Sequence, residues 1–339
     1  MDQYVGLDVS QKLTAICVID QDGKQLWRGN CATSPASIAA VLQQRAPRLQ
    51  RAGMETGPLA VWLYHGLRRL GVPIDCIHAR HAHAALASQL NKTDTNDAHG
   101  IAQLTRTGWY RPVEIKSMAS HEVRLLLRAR HKLVGLRTAM YNQIRGTLKT
   151  FGVVLAAGKG LTFEQLVLSQ TPRSSLIQHV IHALLDTWRH LNLQIRDFDK
   201  AIARLANTSH VCRRLMTVPG VGSLTAVAFA SAVDDPARFK RLQDIGPYLG
   251  LTPKKYQSGD VDRQGSISKT GGPMTRQLLF EAASILITRL KKECALRQWA
   301  LELASRCGLR KATVATARKL ATVLLTLWRQ DKDFVPGSA

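Results

Sequence analysis

The chain has 339 residues, and its 47 Lys and Arg outnumber its 24 Asp and Glu, which gives a net charge of +23 near neutral pH. This length exceeds what a single hydrophobic core usually supports, so we expect two or three domains. A positive excess of this size favours a polyanionic partner, because each phosphate that a cationic side chain neutralises releases counterions. Nucleic acid explains the composition better than a generic basic surface does.

The cysteines and the apolar segments exclude two further classes of protein. The six cysteines are scattered and form no C-x-x-C pair, which argues against a disulfide framework and a zinc site and favours a reducing compartment. The sequence begins with a strand pattern rather than a charged and then apolar leader. Since no apolar run approaches the ~20 residues that a membrane span needs, we expect a soluble, cytoplasmic protein with no membrane partner.

The first 80 residues alternate between strand and helix patterns. Three strand patterns come first, and the Asp22-Gly23 pair between the second and third is a signal for a tight hairpin. A helix signal follows at Ser34-Pro35, where serine suits the N-cap and proline the first helical position. The remaining order is strand, helix, strand. The whole order predicts a ribonuclease-H-like α/β domain, with strands over residues 5–9, 13–19 and 25–31, a fourth ending at Glu55, and a fifth at 72–77.

Long helices are predicted in the middle of the chain. Apolar side chains recur every three, four or seven positions between Val123 and Leu148, which is the narrow stripe of a coiled-coil seam. Residues 116–149 carry eight Lys or Arg and one acid, Glu122. This basic face either contacts RNA or DNA or is simply solvated. With a second helical stretch at 174–205, it predicts a helical hairpin or a dimerising arm.

The change from alternating strands and helices to long helices sets the first domain boundary. We expect an α/β domain at 1–115, a helical coiled-coil region at 116–207 and a mainly helical domain at 208–339. No sequence repeat or low-complexity tract is visible. The tail at 333–339 is expected to fray.

Four carboxylates stand at the ends of predicted elements in the first third of the chain. Asp8 ends the first strand and Glu55 the fourth, while Asp94 and Asp97 lie where a helix begins. In a ribonuclease-H-like sheet the first strand is central and the fourth lies beside it, so Asp8 and Glu55 would be neighbours. The helix near Asp97 would lay its first turn over the same edge. Hard oxygen ligands suit Mg²⁺, and two such ions would stabilise the attacking and leaving oxygens of a phosphodiester.

Each of these acids also has an ordinary structural explanation. An aspartate at a strand end is often a turn former, and the segment 93–97 is rich in capping residues, so Asp94 and Asp97 could serve only as helix caps. Other acids nearby are better explained by turns and solvent, namely Asp20, Asp22 and Asp75. A histidine-rich segment favours a surface cluster over a zinc site, because no cysteine or acid completes it; it contains His78, His81 and His83.

A short motif in the last third of the chain is typical of a helix-hairpin-helix element. Val218-Pro-Gly220-Val-Gly222 is flanked by helical patterns on both sides. In such elements the backbone N–H groups at a helix start contact a DNA phosphate without reading sequence. Gly220 and Gly222 are therefore candidate nucleic-acid contacts, and the alternative is a simple turn between helices.

The segment 248–272 is predicted to be a glycine-rich, basic loop that returns to helix at 274–290. Within it, Ser258-Gly259 lies among cations that would place a hydroxyl near a phosphate, namely Lys254, Lys255, Arg263 and Lys269. A Ser-Gly pair in a loop is usually only a turn. On spacing alone, other hydroxyls serve equally well: Ser266, Ser268 and Thr270.

Taken together, several motifs in order along nearly the whole chain match one known family. They are Gly-Leu-Asp8, Met-Glu55-Thr-Gly, Lys-Thr-Asp94-Thr-Asn-Asp97-Ala, Val-Pro-Gly220-Val-Gly222, Leu-Gly-Leu-Thr-Pro253, and Ser258-Gly followed by Ile-Ser-Lys269-Thr-Gly. The chain resembles the transposase family of insertion sequence one-hundred-and-ten, which includes Piv-type invertases and bridge-RNA-guided recombinases.

The resemblance implies an architecture and a set of site residues. It implies a RuvC-like DEDD domain, a coiled-coil arm and a C-terminal transposase domain, which assemble as homodimers and then tetramers. The nucleophile would be Ser258, and the ligands of Mg²⁺, with Mn²⁺ as a substitute ion, would be Asp8, Glu55, Asp94 and Asp97. The chain has Asp260 where the family often has a second glycine, and Gly272 where it often has asparagine. These departures do not change the assignment of Ser258 as the nucleophile. They leave the conformation of the surrounding loop undetermined by the resemblance.

The implied function is RNA-guided recombination of DNA by an insertion-sequence transposase near the bacterial nucleoid. A bridge RNA would pair with donor and target DNA. Serine attack on a phosphate would give a 5′-phosphoserine, which conserves the bond energy that water attack would lose. The site would combine two domains, of one subunit or of two. The alternatives are a RuvC-like Holliday-junction resolvase that uses metal and water, and a non-catalytic nucleic-acid-binding protein.

Overall fold

The computed structural model describes residues 1–79, 82–83, 93–158, 160–258, 261–291 and 293–337. The chain divides into two compact units, Met1–Lys116 and Ser117–Ala339. The first unit combines a sheet with helices, and the second is mainly helical. The predicted division into three domains, with boundaries after residues 115 and 207, stays a prediction.

A mixed five-stranded sheet forms the centre of the first unit. Its strands are β1 (Gln3–Val9), β2 (Leu13–Asp20), β3 (Gln25–Ala32), β4 (Leu49–Glu55) and β5 (Ile74–Ile77). They lie in the order β3-β2-β1-β4-β5. β1 pairs antiparallel with β2 and parallel with β4. The predicted α/β class, with the first strand central and the fourth beside it, is confirmed.

Helices cover both faces of this sheet. On one face, Leu7 and Met54 are buried together with apolar residues of α1 (Pro35–Arg45) and α2 (Ala60–Arg69). On the other face, Cys17 of β2 is buried against α3 (Asp94–Thr107). A parallel strand pair with both faces covered is expected for this class of fold.

α3 packs on the sheet so closely that only glycine fits beneath it. A Cβ atom at Gly6 would overlap the backbone of Ala98 and Ala102, and one at Gly53 would overlap the hydroxyl of Thr105. Because packed interiors do not give way to an added methyl group without a shift, these two glycines set the distance between the helix and the sheet.

The acids assigned to turns have different roles. Asp20 forms a turn as predicted, since its Oδ1 accepts hydrogen bonds from the N–H groups of Asp22 (3.0 Å) and Lys24 (2.9 Å). It is nevertheless buried. The prediction for Asp75 was wrong. It lies within β5, and its Oδ2 accepts a hydrogen bond of 2.6 Å from the Tyr110 hydroxyl, a partner too distant in sequence to foresee.

Two long helices dominate the beginning of the second unit. They are α4 (Met118–Thr150) and α6 (Ser175–Thr208), and the shorter α5 (Leu161–Gln170) lies between them in sequence. α4 and α6 share an apolar cluster near the C-terminal end of α4. An ion pair of 2.8 Å between Arg130 Nε and Asp199 Oδ1 also joins them. A coiled-coil arm stays a prediction.

Within the described residues, ten further elements or short turns follow in the second unit, whose core surrounds the apolar helix α8. The elements are α7 (His210–Leu215), α8 (Ser223–Val233), 3-10 turns at Pro236–Arg238 and Leu242–Asp244, α9 (Ile245–Tyr248), β6 (Pro253–Ser258), β7 (Val261–Ile267), α10 (Pro273–Thr288), α11 (Ala295–Cys307) and α12 (Leu309–Gln330). Within the described parts of the chain, no helix is both long enough and apolar enough to cross a membrane.

The chain after α12 is held in place, so the expectation of a frayed tail was wrong as far as residue 337. The N–H of Phe334 donates to the hydroxyl of Thr217 (2.9 Å), and the carbonyl of Pro336 accepts from the N–H of Ala295 (3.0 Å). The phenyl ring of Phe334 also packs against the core. These long-range contacts outweigh the usual mobility of a chain end.

Candidate functional site

Asp8 and Glu55 lie side by side at one edge of the sheet. The preceding residues, Leu7 and Met54, are Cα partners in the parallel ladder of β1 and β4. Adjacent strands in a sheet are about 4.8 Å apart, so the two acids that follow occupy neighbouring strand ends. Both side chains are half-buried. Their predicted proximity at the level of the backbone is confirmed.

The two acids also project to the same face of the sheet. Side chains alternate between faces along a strand, so Asp8 shares a face with Gly6 and Glu55 shares one with Gly53. Gly6 and Gly53 both lie directly beneath α3. The carboxylates of Asp8 and Glu55 are therefore on the α3 side of the sheet.

The direction of α3 brings its first turn to this edge. Ala98 lies over Gly6, and Gly6 is two residues before Asp8 on β1. Further along the helix, Gln103 Nε2 donates a hydrogen bond of 2.8 Å to the carbonyl of Gly23, in the β2–β3 turn at the other end of β1. α3 thus runs antiparallel to β1 and begins at the end where Asp8 lies.

Asp94 and Asp97 stand in the first turn of α3, and neither is its N-cap. That position belongs to Thr93, whose Oγ1 accepts a hydrogen bond of 3.2 Å from the N–H of Asn96. Asp97 is half-buried and immediately precedes Ala98, whereas Asp94 is exposed one turn earlier. The capping explanation of the two aspartates therefore does not hold, although negative charge at a helix start is stabilising in itself.

The donor set at this corner consists of oxygen atoms, which fits a hard divalent cation such as Mg²⁺. Asp8, Glu55 and Asp97 reach the corner from three different elements. Among the described residues, no three His, Cys, Asp or Glu side chains are gathered closely enough to hold a metal ion together. The backbone brings the acids to one place, and their role as ligands stays a prediction.

Burial and the carboxylates nearby affect the thiol of Cys76. Cys76 lies on β5 as the Cα partner of Met54. Burial, with smaller contributions from the charges of Asp75 and Glu55, raises its pKa to about 12. A raised pKa keeps this thiol protonated at neutral pH, which lowers its nucleophilicity.

The histidines near the end of β5 do not form a metal site within the described residues. His78 and His83 are exposed. His81 lies outside the described residues. The preference for a surface cluster over a zinc site stays a prediction.

The predicted helix, tight turn and helix around Gly220 is confirmed as local structure. α7 is followed by a turn in which the N–H of Val221 donates to the carbonyl of Val218 (3.1 Å), and α8 begins after Gly222. A Cβ atom at Gly220 would come within 2.6 Å of the carbonyl oxygen of Ala282 on α10, whereas one at Gly222 would meet open space. Gly220 is thus needed for packing, and Gly222 leaves the helix start accessible. Their contact with nucleic acid stays a prediction.

The segment around Ser258 is a β-hairpin, so its description as a loop was wrong. β6 and β7 pair antiparallel, and Ser258 is the Cα partner of Val261 at the far end of the hairpin. Gly259 and Asp260 lie outside the described residues. The alternation of side chains was hard to recognise because almost every residue of both strands is exposed, so hydrophobic periodicity was absent.

All the cations predicted to surround Ser258 are exposed on or next to this hairpin. Lys254 and Lys255 lie on β6, and Arg263 lies on β7. Lys269 follows β7 with φ of +55°, the left-handed region. A hydroxyl at the end of a basic, solvent-exposed hairpin is accessible to a phosphate, and its nucleophilic role stays a prediction.

The base of the hairpin is tightly closed by backbone contacts. Gly250 and Gly271 have φ of +68° and +73°, and a Cβ atom at either would overlap the backbone of the other chain segment, at Thr270 and Tyr248 respectively. The N–H of Lys269 donates to the carbonyl of Gly250 (3.2 Å). These glycines explain, in physical terms, the Leu-Gly-Leu-Thr-Pro and Lys-Thr-Gly motifs.

Arg276 fastens this base and was missed by the sequence reasoning. Its Nη1 donates to the carbonyls of Leu249 and Thr270, each at 2.9 Å, so one guanidinium bridges the two segments that lead into and out of the hairpin. Arg276 projects from α10, whose N-cap is Gly272. Glycine costs only a few tenths of a kcal/mol relative to asparagine as an N-cap, so the departure at Gly272 is well tolerated.

Comparison with known proteins assigns the chain to a family. Residues 5–152, which hold the four acids, match a family model of DEDD transposases of the IS110 type, described as "Transposase". Residues 212–300, which hold Ser258, match a model described as "Transposase IS116/IS110/IS902 family". The chain belongs to the IS110 family of DEDD transposases. The enzyme is therefore a DNA transposase or recombinase.

Relatives of this transposase are similar over most of their length. The transposase for insertion sequence element IS1111A from Coxiella burnetii is 29% identical, over 99% of this chain and 92% of the relative. A probable family 20 transposase from Pseudomonas aeruginosa is 26% identical, over 98% of both chains. The pilin gene-inverting protein of Moraxella bovis is 24% identical, over 73% of this chain and 84% of the relative.

Among solved structures, Thermus thermophilus RuvC bound to a Holliday-junction substrate aligns with 33% of this transposase and with all of its own chain. The sequence identity is 14% and the TM-score is 0.26. A likeness of this degree adds nothing to the family assignment.

Replacing Arg276 by alanine should loosen the hairpin without unfolding the helical core. The change removes two charged hydrogen bonds at the base, which are worth about 1.5–3 kcal/mol each at most. Hydrogen exchange of the amides in 250–272 should therefore accelerate by about tenfold or more, as measured by mass spectrometry. Arg289→Ala, an exposed arginine after the end of the same helix, is the matched control. Equal protection in the two variants would show that Arg276 does not fasten the hairpin.

Proposed function

We propose that this transposase cleaves and rejoins DNA through a covalent 5′-phosphoserine on Ser258, with a divalent metal ion held by Asp8, Glu55, Asp94 and Asp97. The observation that carries the proposal is the convergence of Asp8, Glu55 and the first turn of α3 on one face and one edge of the sheet. Acids on separate elements that meet at a sheet edge are costly to maintain unless they serve a ligand.

The donor set supports Mg²⁺, with Mn²⁺ as a substitute, and two ions are proposed. Carboxylate oxygens are the ligands that these ions prefer in proteins. Bound there, such ions stabilise the charge that develops on phosphate oxygens. The fold itself places the proposed carboxylate ligands, because β1, β4 and α3 are each fixed by packing.

The chemistry of Ser258 follows from its hydroxyl and from what recombination requires. The Oγ attacks phosphorus, a bond forms between Oγ and phosphorus, and the bond to the 3′-oxygen breaks. The serine proton ends on the leaving 3′-hydroxyl. A 3′-hydroxyl from another DNA strand then reverses the step and frees the serine, so strand exchange needs no outside energy.

Nucleic acids and further copies of the chain are the proposed partners. The net charge of +23 supports binding of DNA over long stretches. A noncoding bridge RNA that pairs with donor and target DNA would supply sequence specificity without base-reading side chains. Homodimers that assemble into tetramers would hold two DNA molecules at once, with α4 and α6 as the proposed dimerising arm.

Ser258→Ala should abolish the covalent protein–DNA adduct and strand exchange. The alanine removes the only hydroxyl that the proposal uses as nucleophile. The adduct is measured by denaturing electrophoresis after incubation with DNA carrying the protein's own insertion sequence and Mg²⁺. Ser266→Ala, an exposed serine on β7 of the same hairpin, is the control and should retain both activities. Undiminished cleavage by Ser258→Ala would favour a resolvase that uses water.

Asp8→Asn and Glu55→Gln should each reduce Mg²⁺-dependent strand cleavage by more than 100-fold, since losing even an outer-shell partner of a metal costs roughly 10–100-fold. These changes should also abolish any stabilisation by Mg²⁺ in thermal unfolding of the protein without DNA. Asp22→Asn, an exposed acid in the β2–β3 turn, should behave like the unaltered protein. If Asp8→Asn leaves cleavage and binding intact, the acids are structural and the metal proposal is wrong.

The RNA that copurifies with the full chain tests guidance. Expression together with the DNA flanking the gene should give one discrete RNA species encoded in those flanks. The same preparation from cells lacking the flanks is the control and should contain no such species. Recovery of only a random mixture of cellular RNA in both preparations would argue against guidance and leave the serine chemistry untouched.

A further inference from the structure

The β6–β7 hairpin has two faces of different chemistry, and Ser258 lies on one of them. Directly paired residues in an antiparallel ladder project to the same face. Ser258 pairs with Val261, and Tyr256 pairs with Arg263. Because side chains alternate along a strand, Lys254 lies on this face as well. We call Lys254, Tyr256, Ser258 and Arg263 the serine face.

The other face is nearly neutral. It carries Lys255, and the Nζ of that lysine forms an ion pair of 3.3 Å with Oδ2 of Asp262. On the serine face, by contrast, neither Lys254 nor Arg263 forms an ion pair with any carboxylate in the described parts of the chain. The positive charge that is available to a polyanion is therefore concentrated beside Ser258.

Tyr256 is the large aromatic side chain of the serine face, and it is 60% exposed. Its diagonal neighbour on β7 is Gly265, where an added Cβ atom would lie 3.5 Å from Tyr256 Cε2 and 3.8 Å from Lys254 Cβ, so the ring lies beside a residue without a side chain. Every residue of β6 is exposed, so the ring is not part of a hydrophobic core. An aromatic ring in open solvent beside two cations is the chemistry of a single-stranded nucleic-acid surface.

The spacing along β6 places the ring close to the hydroxyl. Residues two apart on a strand are separated by roughly 7 Å, which is close to the spacing between successive phosphates of an extended single strand. A base stacked on Tyr256 would therefore belong to a nucleotide beside the phosphate at Ser258. The guanidinium of Arg263, opposite Tyr256, matches the geometry of a phosphate group.

We propose that the serine face binds the DNA strand to be cut in single-stranded form, with Tyr256 stacked on an unpaired base next to the scissile phosphate and Arg263 bound to a phosphate. The inference rests on the proposed role of Ser258. It adds the side chains that hold the DNA strand so that its phosphate lies next to the serine hydroxyl. Stacking tolerates any base, so this contact contributes affinity and position rather than sequence recognition. It requires the duplex to be open at the cleavage site.

A purely structural role for Tyr256 makes a different prediction. An aromatic ring lying across a glycine on the neighbouring strand stabilises a hairpin by covering it. A leucine would still cover Gly265 and offers no π-face to a base. A tryptophan would keep both properties. Tyr256→Leu and Tyr256→Trp therefore separate base stacking from simple coverage.

The direct test is photocrosslinking of the full-length Ser258→Ala protein to single-stranded DNA. The probe is a mixed-sequence oligonucleotide with 5-iodouracil in place of thymine, which crosslinks efficiently to an aromatic ring stacked on it. Mass spectrometry should identify Tyr256 as a crosslinked residue. Crosslinks found only outside the hairpin would overturn the proposal. So would a Tyr256 crosslink that forms with single-stranded RNA of the same sequence and not with DNA.

Binding measurements on the variants give a second, independent readout. At elevated salt, which suppresses phosphate contacts elsewhere on the chain, Tyr256→Leu should weaken single-stranded DNA binding about tenfold, as expected for the loss of one stacked base, and Tyr256→Trp should not. Arg263→Ala should reduce the slope of the logarithm of the DNA-binding constant against the logarithm of salt concentration by about the amount expected for one phosphate contact. Gln257→Ala, an exposed residue of β6 on the neutral face, is the control and should change neither quantity. Equal losses in Tyr256→Leu and Tyr256→Trp, or in Arg263→Ala and Gln257→Ala, would refute the proposal.

These outcomes distinguish this inference from the proposed function. If Tyr256 crosslinks to DNA while Ser258→Ala still cleaves, the serine mechanism fails and the single-strand surface stands. If Ser258→Ala abolishes the covalent adduct while Tyr256 neither crosslinks nor affects binding, the serine mechanism stands and the surface is refuted.

Discussion

The contact between α3 and Gly6 determines where the carboxylates of this transposase lie. With no side chain at Gly6, the backbone of Ala98 and Ala102 rests directly on β1. This contact fixes both the height of the helix above the sheet and its position along the strand. Asp97 precedes Ala98, and Asp8 is two residues from Gly6, so one close approach brings acids from distant parts of the chain to the same corner. Gln103, bonded to the turn at the opposite end of β1, fixes the direction of the helix.

A second constraint of the same kind acts on the hairpin that carries Ser258. An isolated two-stranded hairpin is marginally stable in water, and this one has no buried face to stabilise it. Its order comes from the base, where Gly250 and Gly271 allow two backbone segments to meet and Arg276 bridges them. The strands can therefore present polar side chains on both faces. In both units, glycines allow two backbone segments to come close together. These contacts fix the positions of the candidate site residues, which lie a few residues away along the chain.

Charge organises the molecule on a larger scale. The excess of Lys and Arg attracts a polyanion, whereas the acids at the sheet edge repel one. The divalent cation of the proposed function would resolve this conflict, because such an ion joins carboxylates to phosphate oxygens. On the hairpin, the ion pair between Lys255 and Asp262 neutralises one face and leaves the cations of the other beside Ser258. The distribution of charge, and not only its total, thus favours a phosphate at particular places.

The sequence by itself determined the α/β class of the first unit, the order of its strands, the edge at which Asp8 and Glu55 meet, and the family. These follow from local patterns: alternating apolar residues, the Asp-Gly turn, the Ser-Pro helix start and short motifs in a fixed order. Only the tertiary structure decided that Thr93 rather than an aspartate caps α3. It also decided three further points: Asp75 accepts a hydrogen bond from Tyr110, the segment at Ser258 is a hairpin, and Arg276 bridges the base of that hairpin. The last three depend on a partner that is distant in sequence or on an element without a buried face, and hydrophobic periodicity carries no signal for either. The cap is a local contact, but the segment 93–97 offers several capping residues, so the sequence left the choice among them open.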